Sequence, residues 1–318
     1  MTSSPITLID TPERRTTRAK PPATGFGSIR RARRGLAALK GIQGARRAVQ
    51  LLVLAIVGNL IVAKWLSAEA GGTVTSAEAL CPFGGLETLY TFVTTGTYVP
   101  HVHEANVVLA VAVLVLALLA RGAFCGWICP LGFMQDIVAG ASAFVRRRVP
   151  AAHRAMRAIH RAAAPLAFLD RPLRLLKYAV LAWAIGGAAV FGVMVFRDVD
   201  PWNALLEVGT GSVGFGLVVL VLTLVGSLFT DRPWCNYACP LGAANGLVAK
   251  LSPVRLERSA AACVDCNLCS RSCPMKIDVA KATKVTSPDC IGCLECVEAC
   301  PRVGALELHV GLPIGGRA

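Results

Sequence analysis

The chain has 318 residues, 54% of them hydrophobic and 16% charged, at a mean hydropathy of +0.57, which excludes an ordinary soluble domain and points to an integral membrane protein. A formal net charge of +14 would suit nucleic acid only if gathered on a folded groove. Here Lys and Arg flank apolar runs, so the charge reports membrane topology and argues against a nucleic-acid partner.

Residues 1–47 hold eleven Lys or Arg without an apolar period and predict a disordered basic leader. Arg46, Arg47, the following apolar run and Ala68-Glu69-Ala70 mimic a cleaved signal peptide, but the length of leader and run argues against cleavage. Residues 48–252 then predict a transmembrane domain. Its four apolar stretches, Val49 to Trp65, Ala105 to Ala120, Tyr178 to Phe196 and Val208 to Phe229, each approach the ~20 residues that cross a bilayer as helix. Lys and Arg are absent between Trp65 and Glu104 but abundant between the second and third stretches, from Arg121 to Arg174. The positive-inside rule therefore predicts a multi-pass protein of the bacterial inner membrane with both termini cytoplasmic. Trp65, Trp127, Trp202 and Trp234 fall at the predicted ends and suit interfacial indoles. Arg154, Arg157 and Arg161 share one face of a predicted surface helix that suits anionic lipid, or equally solvent.

The chain repeats itself. Cys125-Gly-Trp-Ile-Cys129-Pro-Leu-Gly returns as Cys235-Asn-Tyr-Ala-Cys239-Pro-Leu-Gly, so a two-helix unit is duplicated and the two cysteine pairs should face one another across a pseudo-two-fold axis. Cys81-Pro82 and Asp200-Pro201 form a fainter match, each followed by a glutamate, Glu87 or Glu207. Helical i, i+4 spacing would put both sulfurs of a pair on one face. Four facing thiolates could hold a metal or a small cluster, act as redox dithiols, or simply pack. On the outer side Cys81, Glu87, His101 and His103 are candidates to meet quinol or take its protons, against the plainer reading of solvated loop residues. No histidine lies within a predicted span, which argues against a bis-histidine haem in the bundle.

Residues 253–310 predict an α+β two-cluster ferredoxin-like domain, followed by a tail, 311–318. The spacing Cys263-x-x-Cys266-x-x-Cys269-x-x-x-Cys273-Pro, repeated at Cys290, Cys293, Cys296 and Cys300-Pro, is that of bacterial two-cluster ferredoxins, in which the fourth cysteine of each run ligates the other cluster. One [4Fe-4S] cluster is expected on Cys263, Cys266, Cys269 and Cys300, the other on Cys290, Cys293, Cys296 and Cys273. Zinc would need neither the third close cysteine nor the prolines. Thiolate clusters belong to a reducing compartment, which also places this domain in the cytoplasm.

With these motifs the chain resembles the membrane polyferredoxin family that includes NapH-, NosR- and CcoG-like proteins, from about Gln50 to the end, and is most similar in layout to the NapH-type quinol dehydrogenase membrane component. The resemblance implies that Cys125, Cys129, Cys235 and Cys239 are the family's membrane-edge motifs and the eight later cysteines its cluster ligands. It implies electrons taken from quinol or handed to copper or oxidoreductase partners. The chain departs from NosR-like members in lacking an outer flavin-binding domain and from CcoG-like members in lacking an immunoglobulin-like domain, which argues against regulatory and copper-reducing roles. The expected function is a membrane-bound conduit passing electrons between quinone and a protein partner. A copper or iron reductase or cofactor-assembly protein, and a redox sensor, are the alternatives.

Overall fold

The computed structural model describes residues 26–69, 81–96, 104–207 and 214–311. Helix α1, Phe26–Glu69, begins well inside the segment expected to be a disordered leader. Composition misled there because the partners are remote: Arg46 donates from Nε to Gly126 O at 2.8 Å and pairs with Asp136 and Glu295, and Gln43 donates to Cys293 O at 2.7 Å. Cations and amides fold when a distant element supplies their acceptors.

Helix α2, Pro82–Thr95, lies where sequence predicted only an outer loop. It packs against α3, Glu104–Ala120, so closely that a Cβ on Gly85 would stand 1.9 Å from Asn106 O. After a π-turn over Phe124–Ile128 come α4, Pro130–Arg148, and α5, Pro150–Ala163. Next are the single turn α6, Asp170–Leu173, and α7, Leu176–Phe191. α7 stops five residues short of the predicted stretch because Gly192 takes a left-handed cap (φ 67°), and the chain turns Phe196 back into the core, where its ring stands 5.2 Å from Phe83 and 6.3 Å from Trp234.

The segment after α7 holds α8, Pro201–Glu207, packed against α9, Phe215–Gly226. The duplication therefore extends further than the cysteine motifs: in each half a short proline-initiated helix packs on a longer apolar one. Two helical stretches, Gly41–Ala63 and Asp170–Phe191, are long and apolar enough to cross a membrane, and Ala105–Ala120 and Phe215–Gly226 are shorter apolar helices. Leu51, Leu52, Val108, Val190 and Leu222 stand exposed on these four helices.

Helices α10, Pro233–Tyr237, and α11, Pro240–Ala249, lead into the ferredoxin-like part. Strand β1, Val254–Arg258, is central, with β2, Lys284–Val285, and β3, Leu306–Val310, antiparallel on either side; Leu256 faces Val285 and Leu308. Two single turns, α12, Leu268–Arg271, and α13, Glu295–Glu298, follow the cysteine loops.

This part docks on the basic end of the bundle. Arg121 donates to Val285 O at 2.6 Å and Ser287 O at 3.0 Å, Arg174 donates to Met275 O at 3.0 Å, and Lys177 pairs with Asp289. Trp127, expected at a lipid interface, donates its indole N–H to Gly292 O at 3.1 Å, and Trp234 is buried at 8% exposure. Only Trp65 of the four is largely exposed. An indole at a helix end serves lipid or protein equally well, and here the tail claims it.

Candidate cysteine centre

The two tail loops share a backbone device. The second cysteine of each run is flanked by left-handed residues, Asp265 (φ 52°) and Asn267 (φ 59°) around Cys266, Gly292 (φ 60°) and Leu294 (φ 60°) around Cys293. Alternation of left-handed and ordinary residues curls backbone N–H groups into a concavity for an anion, which is the shape a cluster loop requires. Cys269, Cys290 and Cys296 pack in one core with Leu256, Val279, Val285 and Leu306, so the two cysteine runs adjoin one another.

Burial pushes the Cys293 thiol up to about 12, with Glu295 adding to it, and pushes Cys296 well above its ordinary value. Buried thiolates need a compensating cation, so iron fits this donor set. Cys290, Cys293 and Cys296 are buried while Cys266 is exposed. One set thus lies against the bundle and the other toward solvent.

The inner set adjoins the twin motif. Met275, Ile291 and Cys293 form one packed cluster with Cys125, Cys235 and Cys273. Glycine makes the approach possible, since a Cβ on Gly126 would stand 2.3 Å from Ile291 O and one on Gly122 2.8 Å from Cys290 O.

The twin motif is not a continuous helix with two sulfurs on one face. Cys125 lies in the π-turn, Cys129 is the extended N-cap of α4, and Cys239 is the extended N-cap of α11. The following proline forces that extension, because it disfavours helical geometry in the residue before it. Cys125 and Cys235 pack together against Cys293, while Cys129 and Cys239 line one cavity on the other side of the motif. Among the described residues, no group of three or more His, Cys, Asp or Glu side chains is placed to hold a metal ion.

Arg232, 0% exposed and left-handed (φ 47°), sits beside this motif. It grips Asp136 through Nε at 2.7 Å and Nη2 at 2.6 Å and donates Nη1 to Cys125 O at 2.7 Å. Its charge reaches both Cys235 and Cys293.

On the far side of the motif the faint sequence match becomes a contact. Cys81 Sγ lies 3.8 Å from Asp200 Oδ2, so the residues ahead of the two short helices meet across the pseudo-axis. Both border a cavity of about 80 Å³ lined also by Cys129, Cys239, Trp202 and Trp234. Glu87, weighed as a solvated loop residue, is 0% exposed, and neither carboxyl oxygen has a hydrogen-bond partner. The indole nitrogen of Trp202 is likewise buried without a partner. His101 and His103 lie outside the described residues. Asp200 and Arg232 were missed as site residues. The Asp-Pro echo of Cys81-Pro82 was the available signal for the first; nothing in the sequence marked the second.

Two family descriptions match the chain: a 4Fe-4S binding domain over residues 102–151 and 213–259, and a 4Fe-4S dicluster domain over residues 255–301. The chain is 31% identical to the putative electron transport protein YccM of Escherichia coli (strain K12) across 86% of itself and 77% of that protein. It is 30% identical to the methylamine utilization ferredoxin-type protein MauN of Methylorubrum extorquens across 80% of itself and 85% of that protein. With the ferredoxin-type protein NapH of Haemophilus influenzae it shares 29% identity across 63% of itself and 67% of that protein. No solved structure matches. The chain belongs to the NapH/NosR-like polyferredoxin family of ferredoxin-type electron-transfer proteins.

Proposed function

We propose that the chain crosses the bacterial inner membrane four times, as two repeated helix pairs with both termini cytoplasmic, and passes single electrons between the quinone pool and a protein redox partner. The observation that carries this reading is the packing of Ile291, Met275 and Cys293 directly against Cys125 and Cys235, which leaves no solvent layer between the tail cysteines and the twin motif. Lipid would cover the exposed Leu, Val and Phe of the long apolar helices, a surface too large for water.

In the tail, Cys263, Cys266, Cys269 and Cys300 would hold one [4Fe-4S] cluster, and Cys273, Cys290, Cys293 and Cys296 the other. When bound, such clusters take up and release one electron each, at potentials set by burial and hydrogen bonds to sulfur. The residues divide the remaining work. Gly122 and Gly126 permit close approach, and Arg46, Arg121 and Lys177 hold the tail in register. Cys266, at the exposed edge, faces a soluble partner. Cys81, Asp200 and Glu87 are the groups placed to exchange protons with a quinol that reaches the bundle, because a buried carboxyl without a partner binds a proton readily.

The test is anaerobic reduction of the detergent-solubilised protein by a ubiquinol or menaquinol analogue, followed by the visible bleaching of the clusters. Bleaching is expected in the parent chain. It should be lost in the Cys125→Ser/Cys239→Ser double variant while dithionite still bleaches the tail clusters. Equal quinol bleaching in that variant would remove the twin motif from the electron path.

A further inference from the structure

Pro150 disfavours helical geometry in the residue before it, so Val149 is extended (φ −113°, ψ 105°) and α5 folds back onto α4. Between the two helices lies an open groove of about 1030 Å³ bordered by Arg146, Arg147, Arg154, Arg157 and Arg161, and among the described residues no acidic side chain borders it. Arg148 is not part of the groove; its guanidinium lies over the Phe144 ring, 5.0 Å from the centroid.

Helix ends account for some of these cations. Arg146 and Arg147 stand in the last turn of α4 and Arg161 in the last turn of α5, where positive charge complements the helix dipole. Arg154 and Arg157 lie inside α5 and gain nothing from its end. Five guanidiniums around one groove repel one another with no carboxylate between them, and a bound anion relieves that repulsion.

By sequence alone α5 suits lipid and solvent equally; its surroundings separate the two. Ser142 Oγ donates to Leu228 O at 2.8 Å, which moors α4 to the chain just beyond the apolar helix α9. There Arg146 and His160 also border a second cavity, of about 470 Å³, whose walls include Ile159, Leu228 and Phe229, all three exposed. Asp231, the acidic residue of that cavity, is accompanied by Lys276. A free anion matches the arginine groove alone. A phospholipid matches the groove with its headgroup and the adjoining apolar wall with its chains.

We propose that the α4–α5 hairpin is a binding site for an anionic phospholipid, with the phosphate among Arg146, Arg154 and Arg157 and the acyl chains against Ile159, Leu228 and Phe229. The site rests on the reading that this end of the bundle lies at the inner leaflet, and it is independent of what donates or accepts electrons.

Native mass spectrometry of the full-length protein, purified in a neutral detergent and offered one lipid at a time, tests the site. The parent should retain phosphatidylglycerol and shed phosphatidylcholine of the same chain length, and excess inorganic phosphate should displace little of the bound lipid. Arg154→Gln/Arg157→Gln should weaken phosphatidylglycerol binding by about 30-fold, the effect of two basic residues on an anionic lipid surface. Arg271→Gln/Lys281→Gln, the same change of charge at exposed positions on the tail, should leave it unchanged. Equal retention of both lipids by the parent, equal retention of phosphatidylglycerol by the two double variants, or its full displacement by inorganic phosphate overturns the site. The parent's lipid selectivity decides the question if a variant fails to accumulate. A micelle has no inner side, so a negative result removes the site and leaves the topology standing; the topology is read separately, from protease reaching the tail only in inside-out vesicles.

Discussion

Adding one methyl group at Gly126 tests the docking geometry on which electron passage depends. Its Cβ would stand 2.3 Å from Ile291 O, where contacts under 3.0 Å essentially never occur, so one side must move by about 0.7 Å or more, a strain of the overpacking kind worth ~1–3 kcal/mol. The bundle cannot give way easily. The Gly126 carbonyl is held by Arg46 Nε at 2.8 Å and Gln50 Nε2 at 3.0 Å, and both donors are buried on α1. The tail loop carrying Ile291 must therefore lift, shifting the docked-to-undocked ratio by about 5- to 150-fold. Hydrogen exchange of the backbone over 284–296 reads this out. Gly126→Ala should speed exchange there and raise proteolysis of the tail while the tail clusters keep their absorbance. Gly140→Ala is the control, because its Cβ meets nothing within 4 Å and alanine in a helix interior should stabilise by ~0.5–1 kcal/mol. Equal protection over 284–296 in Gly126→Ala and the parent would refute the reasoning.

Arg232→Met should destabilise the purified protein by ~1–3 kcal/mol in thermal or denaturant unfolding, since it strands the Cys125 carbonyl oxygen while Asp136 keeps Arg46 at 3.0 Å; Arg232→Lys, which keeps charge but loses the two-pronged grip on Asp136, should fall between Met and parent. Cys300→Ser should disturb the cluster held by Cys263, Cys266 and Cys269, while Cys273→Ser should disturb the one held by Cys290, Cys293 and Cys296; paramagnetic signals assigned to the two centres check the crossing, which would be wrong if each variant disturbed its own run. Gly85→Ala should abolish or sharply reduce membrane-inserted protein, because its Cβ would stand 1.9 Å from a backbone oxygen of α3; normal yield and melting temperature would place α2 elsewhere.

Local rules settled much of this protein before any coordinates. The C-x-x-C-x-x-C-x-x-x-C-P runs announce their chemistry because a cubane takes three ligands from one tight loop, and the long apolar stretches announce themselves through hydropathy. The prolines next to Cys273 and Cys300 are the local signal from which the crossed ligand sets are proposed.

Tertiary structure alone decided where polar groups in the bundle go. Glu87 reads as a loop glutamate until α2 folds onto α3 and seals it in. Arg46 reads as one charge among eleven until it meets Gly126, Asp136 and Glu295. Gln135 and Asn245 carry no signature at all in their own segments, because each finds its sulfur in the opposite half of the repeat, 100 and 120 residues away. A hydrogen bond or an ion pair is specified by both partners, and a sequence presents only one of them at a time. Where both partners sit in one loop the chain states its chemistry outright; where a duplication places them in different halves, only the packed pseudo-dimer reveals it.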